Sequence, residues 1–270
     1  MREKVERILR EKIRAQKKKP TRDNLIKYGN ELRRKQGHGI VARLAMQQME
    51  ANKNYTITSI RNPTEVEVLR TRKDFIRLHE ARLRGNYPLL RIYAGTRDFI
   101  ELGKLFKETI NNAWAAIPIF WFNQMDGRGP LSLEESIKQH LKAIKWHGEN
   151  NIPVEINDPH HWGLRDAPDA IVVADMYLCG IIAKKLGVKH FVAQYMFNTP
   201  PSSSLDMDLA KILAMDELLQ TLEDDNFKVI RQVRTGLASF PLDLNRAKGH
   251  LASTLFVQLM IKPDIIHVVT

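Results

Sequence analysis

Cysteine is nearly missing from this 270-residue chain: Cys179 is the only one. A lone thiol excludes an internal disulfide and suits a reducing compartment, so the chain is expected in the cytoplasm. Cys179 lies in an apolar helical run and reads as a buried, inert thiol. Long hydrophobic runs are missing as well. No stretch is long and apolar enough for a bilayer span, and the first residues (Met1-Arg2-Glu3-Lys4) lack the apolar core of a secretion signal. No membrane partner is expected. Aromatic residues make up 7% of the chain. They form no stacking pattern, which argues against nucleic acid as a partner. There is no Gly-Gly pair, no helical His-x-x-x-His, no internal repeat and no low-complexity tract. Adjacent His160 and His161 rarely share one metal, so no metal centre is expected.

What is present describes a globular chain, 43% hydrophobic and 27% charged. Its net charge of +11 is unevenly placed. Residues 1–84 hold 23 Lys+Arg and 10 Asp+Glu, a net of +13; the remainder holds 19 and 21, a net of −2. Such asymmetry suggests two segments of different origin. The basic segment either meets phosphates or is a solvated charged surface.

The patterning predicts a helix over 1–19, with Val5, Ile8, Leu9 and Ile13 on one face and Pro20 as its stop. Two more helices follow, from Asp23 to Arg34 and over 40–51, then a strand over 55–60. Asn62-Pro63-Thr64-Glu65 opens a further helix. Gly85-Asn-Tyr-Pro88 marks the boundary, giving segments 1–84 and 85–270. Beyond it, strands are expected at 89–94, 117–122, 154–156, 191–196, 229–233 and 264–269. Helices near 98–113, 132–149, 168–186, 206–223 and 244–262 lie between them. This alternation predicts an α/β fold, an incomplete TIM-type (β/α) barrel preceded by a small, mostly helical fragment. A closed eight-stranded barrel needs two further β/α units. Either the chain is truncated, or the 55–60 strand contributes, or the sheet stays open.

Each expected strand runs into polar groups, and in β/α barrels catalytic groups sit at the strands' C-terminal ends. Loop 157–166 is the densest. His160 and His161 are candidates for proton transfer near neutral pH, with Asp158 beside them. Arg165 is a candidate for bidentate carboxylate binding. Arg97, Arg128, Arg165 and Arg234 together imply a small anionic substrate, with Asp98, Asp126, Asp158 and Asp166 relieving their repulsion. Asn198 is placed to orient a substrate. Phe120-Trp121-Phe122 reads mostly as buried strand. The spacing Asp158-x-His160-x-x-Gly163 matches a cobalamin lower-ligand pattern. It follows the third strand rather than the first, so it is taken as coincidence.

Four stretches carry a resemblance: Asn123-Gln-Met-Asp-Gly-Arg-Gly-Pro130, residues 157–166, Gln194-Tyr-Met-Phe-Asn-Thr-Pro-Pro201 and Arg231-Gln-Val-Arg-Thr-Gly236. Through them the segment from residue 85 onward resembles the methylaspartate (glutamate) mutase large-subunit family and its cobalamin-dependent, methionine-synthase-like relatives. The resemblance implies a TIM barrel that caps adenosylcobalamin held by a separate small subunit. It implies an isomerase that rearranges a carboxylate-bearing substrate by radical chemistry. By this resemblance Arg234 aligns with a carboxylate-binding arginine, Tyr195 and Asn198 fall in a pocket-lining loop, and Arg165 falls in the loop that supplies another anion contact; Arg128 and Asn123, in the stretch 123–130, are further substrate-binding candidates. The family chain is longer, and its acidic base has no counterpart assigned here.

Residues 21–39 and 58–67 resemble the middle of a P-loop nucleotide kinase of the dephospho-coenzyme-A kinase or nucleoside-monophosphate kinase type. The Gly-x-x-x-x-Gly-Lys-Ser/Thr loop is absent, which removes the phosphate cradle. Nucleotide (ATP with Mg²⁺) binding through Arg33, Arg34 and Arg61 is the alternative function. An inactive fragment or scaffold is the third reading, and a homo-oligomer is compatible with all of them.

Overall fold

The computed structural model describes residues 13–14, 19, 21–36, 79–81, 83, 85, 89–93, 95 and 98–268. The chain divides into two compact units, Met1–Ala113 and Trp114–Thr270. Most of the expected 1–19 helix and all elements expected over 40–67 lie outside the described residues.

In the first unit, helix α1 spans Arg22–Gln36. Its start is held by the Asn24 N–H, which donates to Thr21 Oγ1 at 3.3 Å. Strand β1 is Arg91–Tyr93 and helix α2 is Phe99–Thr109.

The second unit alternates strand and helix throughout. Its strands are β2 (Trp114–Ala116), β3 (Val154–Glu155), β4 (His190–Phe197), β5 (Lys228–Thr235) and β6 (Ile265–His267). Its helices are α3 (Leu133–Glu149), α4 (Asp158–Gly163), α5 (Asp169–Lys185), α6 (Leu205–Gln220) and α7 (Leu244–Gln258). Each strand pairs in parallel with the next, β2 to β3 through β5 to β6. Sequential order without a reversal is the winding of a barrel rather than of a doubly wound sheet. Among the described residues β6 pairs with β5 alone, so the sheet does not close.

Polar caps set where the helices begin. Ser132 Oγ accepts the Glu135 N–H, Ser204 Oγ accepts the Met207 N–H, and Asp243 accepts the Arg246 N–H. Each satisfies one of the orphan donors of a first helical turn. Strand alternation then sorts side chains by face. The Tyr195 hydroxyl donates to Asp216 of α6 at 2.8 Å, and the Arg231 Nε donates to the same carboxylate at 2.7 Å. Gln258 of α7 donates to Thr235 Oγ1 at 2.9 Å. These residues mark the helix-covered face. Val192, Gln194 and Met196 of β4, and Ile230, Gln232 and Arg234 of β5, therefore line the opposite, inner face.

Two expected elements are corrected. The strand expected over 117–122 ends at Ala116. Pro118 has no N–H to pair, and the Ile119 and Phe120 N–H groups donate instead to Asp158, at 2.6 and 3.0 Å. Phe122 has a φ of 65°, outside any strand conformation. Phe120-Trp121-Phe122 is thus a strand exit. Loop 157–166 likewise contains a short helix, α4. Among the described residues no helix is long and apolar enough to cross a membrane.

Backbone meets backbone where the last turn of α3 passes the chain just after α5. A Cβ on Gly148 would lie 2.8 Å from the carbonyl carbon and oxygen of Gly187. Neither partner is a side chain that can rotate away. Gly148→Ala is therefore expected to destabilise the second unit by about 1–3 kcal/mol, read as a lower urea midpoint at unchanged slope.

Candidate functional site at the strand exits

Buried polar residues gather on the inner face toward the C-terminal ends of the strands. Glu155 of β3 is wholly buried. Its Oε2 accepts the Trp114 indole N–H at 3.0 Å and the Gln232 amide at 3.5 Å; its Oε1 accepts the Gln194 amide at 3.3 Å. The donors thereby face the carboxylate. The carbonyl oxygens of Gln194 and Gln232, both buried, have no hydrogen-bond partner in the protein. One pleat further along lie Asn157, Met196, Arg234 and His267. Register aligns Met196 with Arg234 and Arg234 with His267. Asn157 is 1% exposed, and neither its Oδ1 nor its Nδ2 has a partner in the protein. Buried amides are rarely left so, because each unmade hydrogen bond costs about 1–3 kcal/mol. Arg234 is 8% exposed, so its charge is held largely out of water.

Around this core the exit loops are tied by carboxylates. Asp158 is fully buried, and its two oxygens hold the Ile119 and Phe120 N–H groups. Burial raises its pKa to about 8; Asp175 adds to the rise, and the two N–H groups oppose it. Burial likewise lifts Asp175 to about 7. The Cys179 thiol, 4.0 Å from Asp175, is pushed up by burial and by both carboxylates, so it stays protonated and inert. Asp126 accepts the N–H groups of Phe122 and Asn123 at 3.1 Å and the Arg128 Nε at 2.5 Å. Burial works to raise its pKa, but these donors outweigh it and hold the carboxyl below the usual range. Asp208 accepts the Asn198 N–H at 2.6 Å and pairs with buried Lys211 at 3.2 Å.

The expected site residues separate into groups. Arg234 faces inward on β5. His160 and His161 are buried in α4, with ring centroids 5.2 Å apart. The His161 ring packs 5.5 Å from Trp121 and edge-on to Phe122 at 5.7 Å. Asp158 ties down the β2 exit. Asn123 closes its own turn: its amide donates to the Phe120 carbonyl and accepts the Met125 N–H, both at 2.9 Å. Tyr195 lies on the helix-covered face, away from the inner face. Asn198 caps the β4 exit with a φ of 52°, and its Oδ1 accepts the Thr254 hydroxyl at 3.4 Å. Arg165 and Arg128 stack on Trp121 and Phe122 at 3.9 and 4.1 Å. Arg34 is exposed on α1, whereas the Arg33 side chain, Arg61 and Arg97 lie outside the described residues. Among the described residues no group of three or more His, Cys, Asp or Glu is arranged to hold a metal ion.

Trp114, Glu155, Gln194 and Gln232 escaped the sequence reading. Their signal was present as polar residues at alternate positions within apolar strands: Glu155 and Asn157, then Gln232 and Arg234. Neither a protein-family model nor a curated protein sequence matches the chain.

The buried carboxyls give a pH dependence. Free Asp loses its proton near pH 4, whereas folded Asp158 and Asp175 keep theirs to about 8 and about 7. Between those limits the unfolded state binds fewer protons, so stability falls as pH rises from about 4 to about 8. Asp175→Asn removes its share. Urea unfolding at about pH 5 and pH 8 should show a shallower decline in the variant, with its advantage over the parent at the alkaline end.

Proposed function

We propose that the inner face of the second unit binds a small carboxylate-bearing substrate, and that the chain acts as the catalytic barrel of a cobalamin-dependent isomerase. The observation that carries this reading is Asn157: a buried amide without an internal partner, two residues beyond inward-facing Glu155 at the β3 exit, beside an inner face that holds buried Arg234. Arg234 offers a planar fork of donors to a carboxylate. The Asn157 amide offers a donor and an acceptor. Deeper in, the open carbonyls of Gln194 and Gln232 accept from a hydroxyl or amine. Glu155 orients both glutamines by taking their N–H groups. A substrate held at both ends in a dry pocket loses most of its freedom before reaction, which is what a rearrangement without solvent requires.

The strand exits also suit a large, partly apolar cofactor presented by a partner subunit. Met125 after β2, Leu164 after β3, Leu205 and Met207 after β4, and Leu237 after β5 are all exposed. Apolar side chains repeated on successive exits form a rim that gains by being covered. Adenosylcobalamin, when bound, supplies a carbon radical by homolysis of its cobalt–carbon bond. The contribution of this chain is to exclude water, fix the substrate carboxylate at Arg234 and hold its other groups at Asn157, Gln194 and Gln232.

Arg234→Ala is expected to weaken binding of an amino-dicarboxylate by roughly tenfold or more, the scale of a lost charge-assisted hydrogen bond. Isothermal titration of the purified chain with and without the variant reads this directly. Equal affinity in parent and variant would sink the assignment.

A further inference from the structure

Two guanidinium groups stand together on the exits of β2 and β3, each laid flat on an aromatic ring. Arg165 lies 3.9 Å over Trp121, and its Nη1 donates to the His161 carbonyl at 2.9 Å. Arg128 lies 4.1 Å over Phe122 and is paired with Asp126. The two platforms are joined, because the His161 ring packs against both Trp121 and Phe122. The guanidiniums also sense each other. Partial burial first, and then the charge of Arg128, pull Arg165 below its ordinary range, with Asp126 opposing.

The charges do not balance. Two cations share one carboxylate, and the Asp126 oxygens are already engaged by Phe122, Asn123 and Arg128. Arg165 is exposed and uses one of its five N–H donors on the chain. Stacking occupies the face of a guanidinium and leaves its edge open, and the edge is where bidentate binding occurs. Beneath it, Trp121 is 3% exposed and its indole N–H has no acceptor in the protein. The platform is rigid and locally costly. Phe122 holds a φ of 65°, and a Cβ on Gly129 would lie 2.0 Å from the Phe122 carbonyl oxygen.

The geometry points to a second anion subsite, formed by Arg165 and Arg128 on their aromatic platform, that takes a phosphate group. It is separate from the carboxylate site at Arg234, which faces inward and is nearly buried. A carboxylate fills one guanidinium fork; a phosphate presents oxygens in several directions and the higher charge that two adjacent cations favour. A ligand reaching this rim therefore carries a phosphate ester.

Titration of the full chain with inorganic phosphate, followed by calorimetry, tests this. Arg165→Ala is expected to lower phosphate affinity by roughly tenfold or more, while Arg234→Ala leaves it unchanged. Acetate at matched ionic strength is expected to bind more weakly than phosphate. Arg165→Lys keeps the charge and the stack but lacks the fork, so it covers the case in which the alanine variant does not fold; it too is expected to bind phosphate more weakly. The proposal is overturned if the parent does not bind phosphate, if both Arg165 variants bind it as the parent does, or if the loss follows Arg234 instead. Loss of dicarboxylate binding in Arg234→Ala with phosphate binding intact separates the two sites. Failure of the substrate reading alone would leave the phosphate result standing.

Discussion

The strand exits depend on one buried carboxylate. Asp158 opens α4, yet its oxygens hold the backbone of the preceding exit through the Ile119 and Phe120 N–H groups. Those two donors fall just after Pro118, where the ladder can no longer satisfy them. Asp158 takes over that role from the missing strand partner and fixes the direction in which the chain leaves β2. Trp121 and Phe122 are thereby brought against His161, and Arg128 and Arg165 onto their rings. Burial that holds the proton and N–H donors that favour the charge pull Asp158 in opposite directions. The loop geometry rests on that balance.

The inner face obeys a different economy from the helix-covered face. Outward, polar side chains are satisfied pairwise: Tyr195 and Arg231 on Asp216, Thr235 with Gln258. Inward, Glu155 gathers three N–H donors and leaves amide oxygens turned away from it. A core built only for stability would fill these positions with aliphatic side chains, since partly satisfied polar layers are destabilising. That retained polarity is what the proposed substrate would meet.

Much of the second unit could be read from the sequence. The alternation of apolar runs with helical stretches points to the parallel winding, and the expected start of the helix near 132 agrees with α3, whose cap is Ser132. The errors arose where tertiary contacts overrode local pattern. Residues 117–122 look like a strand because they are apolar, but the decisive partner, Asp158, lies about forty residues away and is invisible to periodicity. Tyr195 and Arg234 both looked like site residues; one position of strand phase sends the first to the helices and the second inward. Glu155 and Gln194 show themselves locally only as polar residues inside apolar strands; that the two meet across β3 and β4 depends on strand pairing. By sequence the arginines form a single set of strand-exit cations, and only stacking and burial divide them.

The ladders of the sheet differ in length. β4 and β5 are paired over eight residues, from His190 opposite Lys228 to Phe197 opposite Thr235, whereas β2 and β3 share two aligned pairs and β3 and β4 one. Short ladders open more readily than long ones, so amide exchange should be slowest along β4 and β5 and quicker toward β3. Asn157 and Glu155 belong to the breathing side and Gln232 and Arg234 to the firm side. A molecule touching both would act as a splint across that seam, and its arrival would be recorded as slowed exchange in β2 and β3, in strands that owe their order to their neighbours.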